Sequence, residues 1–285
     1  MTAKRIDGKK IAAEKKRAIR ESVRKLGIVP GLAVILVGDD PASRSYIKGK
    51  SRDCRQAGFH SDFIHFPVTV SEQEVLDKIH ELNERDDIHG ILVQRPLPDH
   101  ISGQKVVRAI RPSKDVDGSH PVNRGRLFAG QETFTPCTSA AIMEVLKAVH
   151  VPVAGKHVVI VGRSLIVGKP ASLLFLNLDA TVTICHSKTT SLSDYTKQGD
   201  ILVVATGHAG LIGAEDIKPG AVVIDVGMNR NKDGKWVGDV AFSEASKKAG
   251  FITPVPGGVG PVTRAMLLAN TLKAAEKLIK DNDPI

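Results

Sequence analysis

The sequence predicts an α/β protein of two domains, the second built on a Rossmann-like parallel sheet. Three observations lead there. The runs 158–161, 201–205 and 222–226 are apolar and β-branched at nearly every position, as strands covered on both faces are. They alternate with stretches of helical periodicity, the order that a parallel sheet requires. A chain of 285 residues also exceeds the usual span of one hydrophobic core.

In chain order, Ile11, Ala18, Ile19, Val23 and Leu26 recur at helical spacing until Gly27 and Pro30 stop the helix, and 32–37 follows as a buried strand. A second helix over 43–57 ends at Gly58, and 59–68 reads as β. Ser71 and Glu74 form a capping box for a helix carrying Val75, Leu76, Ile79 and Leu82. The run 89–94 is a third strand, closed by Pro96 and Pro98. After a loop-rich stretch over 111–131, Thr138 is expected to cap a helix with Ile142, Val145, Leu146 and Val149 on its apolar face. The domain junction falls near that helix. Strands at 158–161, 181–185, 201–205 and 222–226 follow, with a helix over 170–178. A Gly- and Pro-rich segment, 254–261, precedes a last helix over 263–280, whose stripe of Leu267, Thr271, Ala274 and Leu278 suits a return onto the first domain. The expected domains are therefore 1–137 joined by 264–285, and 138–263.

Composition narrows the function classes. Apolar content of 42% and charged content of 25% are those of a globular protein. A net charge of +9 admits nucleic acid, an anionic membrane or acidic small molecules as partners. The basic residues are dispersed along amphipathic stretches (Lys9-Lys10, Lys15-Lys16-Arg17, Lys247-Lys248), and 4% aromatic content leaves few stacking platforms, so nucleic acid is not expected. Residues 1–10 lack the apolar core of a signal peptide, and no apolar run approaches the ~18 residues of a membrane span. A cytoplasmic protein with no membrane partner is expected. Cys54, Cys137 and Cys185 are far apart and form no CxxC pair, and Asp115 and Asp117 lack the companions of a calcium loop, so no metal is expected.

The strand 158–161 runs into Gly162-Arg-Ser-Leu-Ile-Val-Gly168 and then a helix. Backbone amides at a helix N-terminus attract a phosphate, and glycines let it come close. The spacing is not G-x-G-x-x-G, and a glycine after a strand is also a common turn. An NAD-binding fold usually ends its second strand on Asp or Glu for the ribose; here Cys185-His-Ser-Lys188 stands instead. Ser187 and a cation, with Arg163 in the preceding turn, suit the 2′-phosphate of NADP. A polar loop with incidental charges is the other reading.

Tyr46 and Lys50, four residues apart, share one helix face. Their order relative to the dinucleotide turn rules out a short-chain dehydrogenase. Gln94 stands at the end of a buried strand and Asp117 in a loop before the junction, the places where α/β proteins bind ligands.

Together with Val37-Gly-Asp-Asp-Pro-Ala-Ser43, Gly90-Ile-Leu-Val-Gln94, Pro96-Leu-Pro98, Lys114-Asp-Val-Asp-Gly118, Pro136-Cys-Thr138, Val161-Gly-Arg-Ser164, Ile166-Val-Gly168 and Thr253-Pro-Val-Pro-Gly-Gly-Val-Gly-Pro261, these residues resemble the ordered motifs of the bifunctional methylenetetrahydrofolate dehydrogenase and methenyltetrahydrofolate cyclohydrolase family over nearly the whole chain. The resemblance implies NADP-dependent oxidation of 5,10-methylenetetrahydrofolate followed by hydrolysis to 10-formyltetrahydrofolate, in a catalytic cleft between the domains, in a short form without a ligase domain and as a homodimer. It implies that Tyr46 packs on the aminobenzoyl ring, Lys50 and Gln94 handle protons at the one-carbon bridge, and Asp117 holds the pterin. Gly162, Arg163, Ser164, Ser187 and Met228 are the implied dinucleotide contacts, and Pro256, Gly257 and Gly258 the implied substrate loop. Ser119, Ser139 and Met228 depart from the residues common in the family. The alternative expectation is an NADP-dependent oxidoreductase of another small acid.

Overall fold

A computed structural model describes residues 2–282, leaving out the side chains of residues 41–43, 45–46 and 279–282. The chain divides into two compact units. One contains Ala13–Cys137 and Arg264–Ile285, the other Met1–Ala12 and Thr138–Thr263.

Elements follow in chain order: β1 (Lys4–Arg5), α1 (Gly8–Leu26), β2 (Gly31–Val37), α2 (Pro41–Ala57), β3 (His60–Phe66), α3 (Glu72–Glu84), β4 (Gly90–Val93), α4 (Gly103–Ala109), α5 (Pro121–Phe128) and α6 (Cys137–Ala148). Then come β5 (His157–Val161), α7 (Gly168–Leu176), β6 (Thr181–Cys185), α8 (Leu192–Thr196), β7 (Ile201–Val204), β8 (Val222–Asp225), β9 (Asn229–Arg230), β10 (Trp236–Val237), α9 (Phe242–Ala245), β11 (Phe251–Ile252) and α10 (Val259–Asn282).

In the first unit β2 is the middle of a parallel sheet ordered β3-β2-β4, and all seven of its residues are buried. Its side chains alternate between two cores. Leu32, Val34 and Leu36 join Ile19 and Val23 of α1, Ile47 of α2 and Leu267 and Leu268 of α10. Ala33, Ile35 and Val37 join Val75, Ile79 and Leu82 of α3 and Val106 of α4. Two-sided burial explains why β2 reads as a continuous apolar run, each large side chain contributing about 1.5–3 kcal/mol. The capping box of α3 is present: Ser71 Oγ accepts from Glu74 N at 3.2 Å and Glu74 Oε2 from Ser71 N at 3.0 Å.

The second unit carries a six-stranded parallel sheet in the order β1-β11-β8-β7-β5-β6, with β9 and β10 as a separate antiparallel hairpin. The chain leaves β5 for β6 on one side and then crosses back to β7 on the other. That reversal makes the carboxyl end of β5 a topological switch point, where such sheets bind ligands.

Several expectations need correction. Residues 1–12, expected in the first unit, belong to the second, where Lys4 and Arg5 pair with Phe251 and Ile252. A two-residue strand carries no periodicity to read. Thr138 lies inside the first turn of α6 rather than capping it. The last helix starts at Val259, four residues early, because Pro261 falls in a first turn where a missing N–H costs little. The stretch over 111–131 holds α5, capped by His120 Nδ1 accepting from Val122 N at 3.1 Å. All three cysteines are free and buried. Among the described residues, no helix is long and apolar enough to cross a membrane.

Candidate active site

In the first unit, Lys50 on α2 meets Gln94, the residue after β4. The Gln94 backbone is fixed by donation to Ile35 O at 2.8 Å. Lys50 Nζ donates to Gln94 Oε1 at 2.7 Å, and Gln94 Nε2 donates to Arg95 O at 2.8 Å, so the amide turns its oxygen to the lysine. Burial pushes the Lys50 amine down to about 8; Arg264 acts in the same sense, and Asp117, Cys137 and Cys54 act against it. A usable share of Lys50 is therefore uncharged near neutrality. Tyr46 stands on the same helix one turn earlier, but its side chain lies outside the described residues.

Asp117 sits in the tight loop after Asp115. Gly118 makes the turn at φ +68°, and a Cβ there would stand 2.6 Å from Phe134 O. Ser119 Oγ donates to Asp117 Oδ2 at 2.9 Å. Burial raises the Asp117 carboxyl, while Ser119, Lys50 and Arg95 draw it down. The two aspartates divide their work. Asp115 accepts from Ser119 N (3.1 Å), His120 N (2.7 Å) and Asn123 Nδ2 (2.8 Å), so it organises the loop, whereas Asp117 takes the Ser119 hydroxyl. A pocket beside Asp117 has apolar walls at Ile91, Val93, Leu97 and Val106, with Arg95 and Ser119 adding polar groups. Asn270 of α10 ties the same region together, donating to Val116 O at 2.8 Å and Thr135 O at 2.9 Å. Burial holds the Cys137 thiol well above its ordinary range, and its Sγ donates to Val116 O at 3.3 Å, so it packs rather than attacks.

In the second unit, β5 and β6 pair to Val161 and Cys185, and Gly162 N donates to Cys185 O at 2.8 Å. Arg163 and Ser187 consequently leave the sheet from neighbouring strand ends. Gly162 has φ +125°, and a Cβ there would lie 2.3 Å from Ala205 O; one on Gly168 would lie 2.0 Å from Gly162 O. Any side chain at either position would break the turn. Residues 163–166 are exposed, and among the described hydrogen bonds none takes up their amides. Helix α7 also starts without a side-chain cap on Val167. An uncapped helix start below open amides fits a phosphate. Ser164 is partly committed within the turn, its Oγ accepting from Val167 N at 3.1 Å. Ser187 and Lys188 are exposed and no carboxylate ends β6. Met228, 42% exposed, follows β8 on the same edge of the sheet, two strands from β5.

Of the Gly-rich loop, Pro256 is exposed and Gly257 half-buried at φ +106°. Gly258 is buried, and its missing side chain serves packing: a Cβ on it would meet Pro254 O at 2.6 Å, and one on Gly8 would meet Gly258 O at 1.7 Å. Sequence reasoning missed Asp53, Arg264 and Asn270. Asp53 carried a signal, as the only acidic residue of a helix with Arg44, Lys48, Lys50, Arg52 and Arg55.

Comparison with known proteins agrees with this fold. Residues 6–117 match the model of the tetrahydrofolate dehydrogenase/cyclohydrolase catalytic domain, and residues 136–279 that of the family's NAD(P)-binding domain. The bifunctional protein FolD of Bacillus licheniformis is 54% identical over 98% of this chain and 100% of its own. The FolD methylenetetrahydrofolate dehydrogenase/cyclohydrolase of Campylobacter jejuni superposes at a TM-score of 0.94 with 48% identity, over 97% of this chain and 99% of that one. The Trypanosoma brucei dehydrogenase-cyclohydrolase, solved with NADP and an inhibitor, gives 0.94 with 39% identity over 98% and 99% of the two chains.

Proposed function

The chain belongs to the tetrahydrofolate dehydrogenase/cyclohydrolase family, and from that premise we propose that it oxidises 5,10-methylenetetrahydrofolate with NADP and hydrolyses the methenyl product to 10-formyltetrahydrofolate. The observation that carries the hydrolytic half is the 2.7 Å pair of Lys50 and Gln94, with the lysine brought down to about 8 beside a half-buried Asp117.

NADP supplies a hydride acceptor when bound. The residues that would hold it are Gly162, Arg163, Ser164 and Ser187, with Met228 along the same sheet edge. Arg163 would pair with the 2′-phosphate, and the open amides at the start of α7 would take the diphosphate. Pro256 and Gly257 would contact the substrate, and Gly258 packs against Pro254. The folate lies along the first unit. Asp117 accepts from pterin N–H groups, and Tyr46 flanks the aminobenzoyl ring.

Loss of hydride from the methylene bridge leaves a cation between N5 and N10. Water adds to that carbon. The neutral Lys50 amine takes the proton of the attacking water, and Gln94 Oε1 orients the resulting ammonium. The carbon–N5 bond then breaks as Lys50 returns a proton to N5 and the hydroxyl gives its own proton to solvent, leaving the formyl group on N10. One water is consumed and one proton released per turnover, and the lysine ends as it began.

A homodimer through the second unit fits the open edge strand β6. Ile184 on it and Leu176 and Leu178 beside it are 39%, 58% and 47% exposed. Sedimentation of Ile184→Lys/Leu176→Asp should show monomers where the native chain shows dimers. The activity itself is tested by supplying methylenetetrahydrofolate with NADP and following NADPH and 10-formyltetrahydrofolate. Reduction of NADP without formyl product would leave only the oxidoreductase half, and no reduction would reject the proposal.

A further inference from the structure

Gly49 and Asp53 lie four residues apart on α2, hence on one face, and Lys50 adjoins Gly49. Arg264 of α10 reaches that face. Asp53 is 1% exposed, and its carboxylate meets Lys16 Nζ of α1 at 2.8 Å on Oδ1 and Arg264 Nε at 3.0 Å on Oδ2. The Arg264 contact is ionic rather than a hydrogen bond, because neither Asp53 Oδ2 nor Arg264 Nε has a hydrogen-bond partner. A Cβ on Gly49 would stand 2.6 Å from Arg264 Nη1 and 3.3 Å from its Cζ. The guanidinium therefore occupies the space of the side chain that Gly49 lacks. Glycine weakens a helix interior, and Gly49 makes no positive-φ turn that would call for it.

We propose that Arg264, seated over Gly49 and tied to Asp53, is a positioning residue for Lys50, holding α2 where the amine meets Gln94 and keeping a second cation beside it. This rests on the reading of Lys50 as the group that moves protons in the hydrolysis. Lys50 is faced by Asp117 from the loop after β4, by Cys137 at the start of α6, by Arg264 from α10 and by Cys54 on its own helix. Arg264 is the cation in that set. Its loss relieves the repulsion on the ammonium and uncovers Asp53, less than one turn along α2. Both changes favour the protonated lysine.

The test is the pH dependence of methenyltetrahydrofolate hydrolysis from pH 6 to 10 in the full-length protein, beside the rate of methylenetetrahydrofolate oxidation. Arg264→Met should move the rising limb of hydrolysis upward by about one pH unit, lowering the rate near pH 7.5 by up to about tenfold. Oxidation should change by less than about twofold, because hydride loss needs orientation more than a base. Arg264→Lys, which restores the charge, should return the limb toward its native position. Gly49→Ala, which only displaces the guanidinium, should shift the limb in the same direction by less, and it serves if Arg264→Met does not fold. An unmoved limb, or parallel losses in both activities, would overturn the proposal. If the native protein does not hydrolyse the substrate, the role of Lys50 falls; if it does and Arg264→Met matches it, only the role of Arg264 falls.

Discussion

Lys50→Arg separates charge from proton transfer. With the native amine near 8 rather than 10.5, about a quarter of it is neutral at pH 7.5, against about 0.1% for an unperturbed lysine, a gain of about two hundredfold in base. Arginine keeps the cation but stays protonated across this range. Hydrolysis of methenyltetrahydrofolate, followed by the loss of its absorbance, should fall at least about a hundredfold in Lys50→Arg and Lys50→Met, or about 2.7 kcal/mol of barrier. The native rate should rise with pH around a midpoint near 8. Stability should move in the same direction, over a higher interval. The unfolded chain holds the Lys50 proton up to about 10.5 and the folded one releases it from about 8, so stability climbs with pH across that interval and carries the deficit below it. At pH 7 that deficit is about 3 kcal/mol at most, and the lost bond to Gln94 offsets about 1.5–3 kcal/mol of it. Lys50→Met should therefore melt no lower than the native protein. Hydrolysis by Lys50→Arg within about threefold of native, or a flat native profile between pH 7 and 9, would refute the argument.

Arg163→Ala should weaken NADP at least about tenfold more than NAD, read as kcat/KM for each; equal losses would mean that Arg163 does not read the 2′-phosphate. Ser119→Ala should raise KM for the folate several-fold with little change in kcat, since Asp117 loses the 2.9 Å donor that orients it, and Ser119→Thr should retain it; a loss confined to kcat would contradict this. Asp225 accepts from Gly227 N at 2.9 Å and from Asp239 N and Val240 N at 3.0 Å each. Asp225→Asn leaves amides unpaired and should cost about 2–4 kcal/mol in chemical denaturation. Burial lifts Asp225 from 3.8 to about 6, and Asp115 likewise. Each withdraws stability as pH rises from about 4 to about 6, so the variant should show a shallower decline than the native chain; an equal or steeper decline would contradict the assignment.

The family and both parallel sheets were legible because β2 and β5 are buried on two faces and advertise it at every position. The capping box of Ser71 and Glu74 was legible because it is written within four residues. Strands β1 and β11 were not, being two residues each and defined only by their neighbours. The site was legible where one element supplies the geometry, as with the turn from Gly162 to Gly168. It was hidden where distant segments meet: Ser119 stood out as unusual, yet its bond to Asp117 depends on the turn at Gly118, and Arg264 has no local reason to neutralise Asp53. Gly258 suited a ligand-approach loop, but the closeness of Pro254 O and Thr253 accounts for its missing side chain.

The backbone enters each unit twice, passing between them at residues 12, 137 and 263. During synthesis the segment that completes the first unit, with Asn270 and its ties to Val116 and Thr135, is made after nearly all of the second. The apolar face of Leu32, Val34 and Leu36 must therefore wait on the ribosome without one of the three helices that cover it. A single cut between residues 137 and 138 would not release two domains. It would yield two fragments, each holding part of both units, that regain their structure only by reassociating.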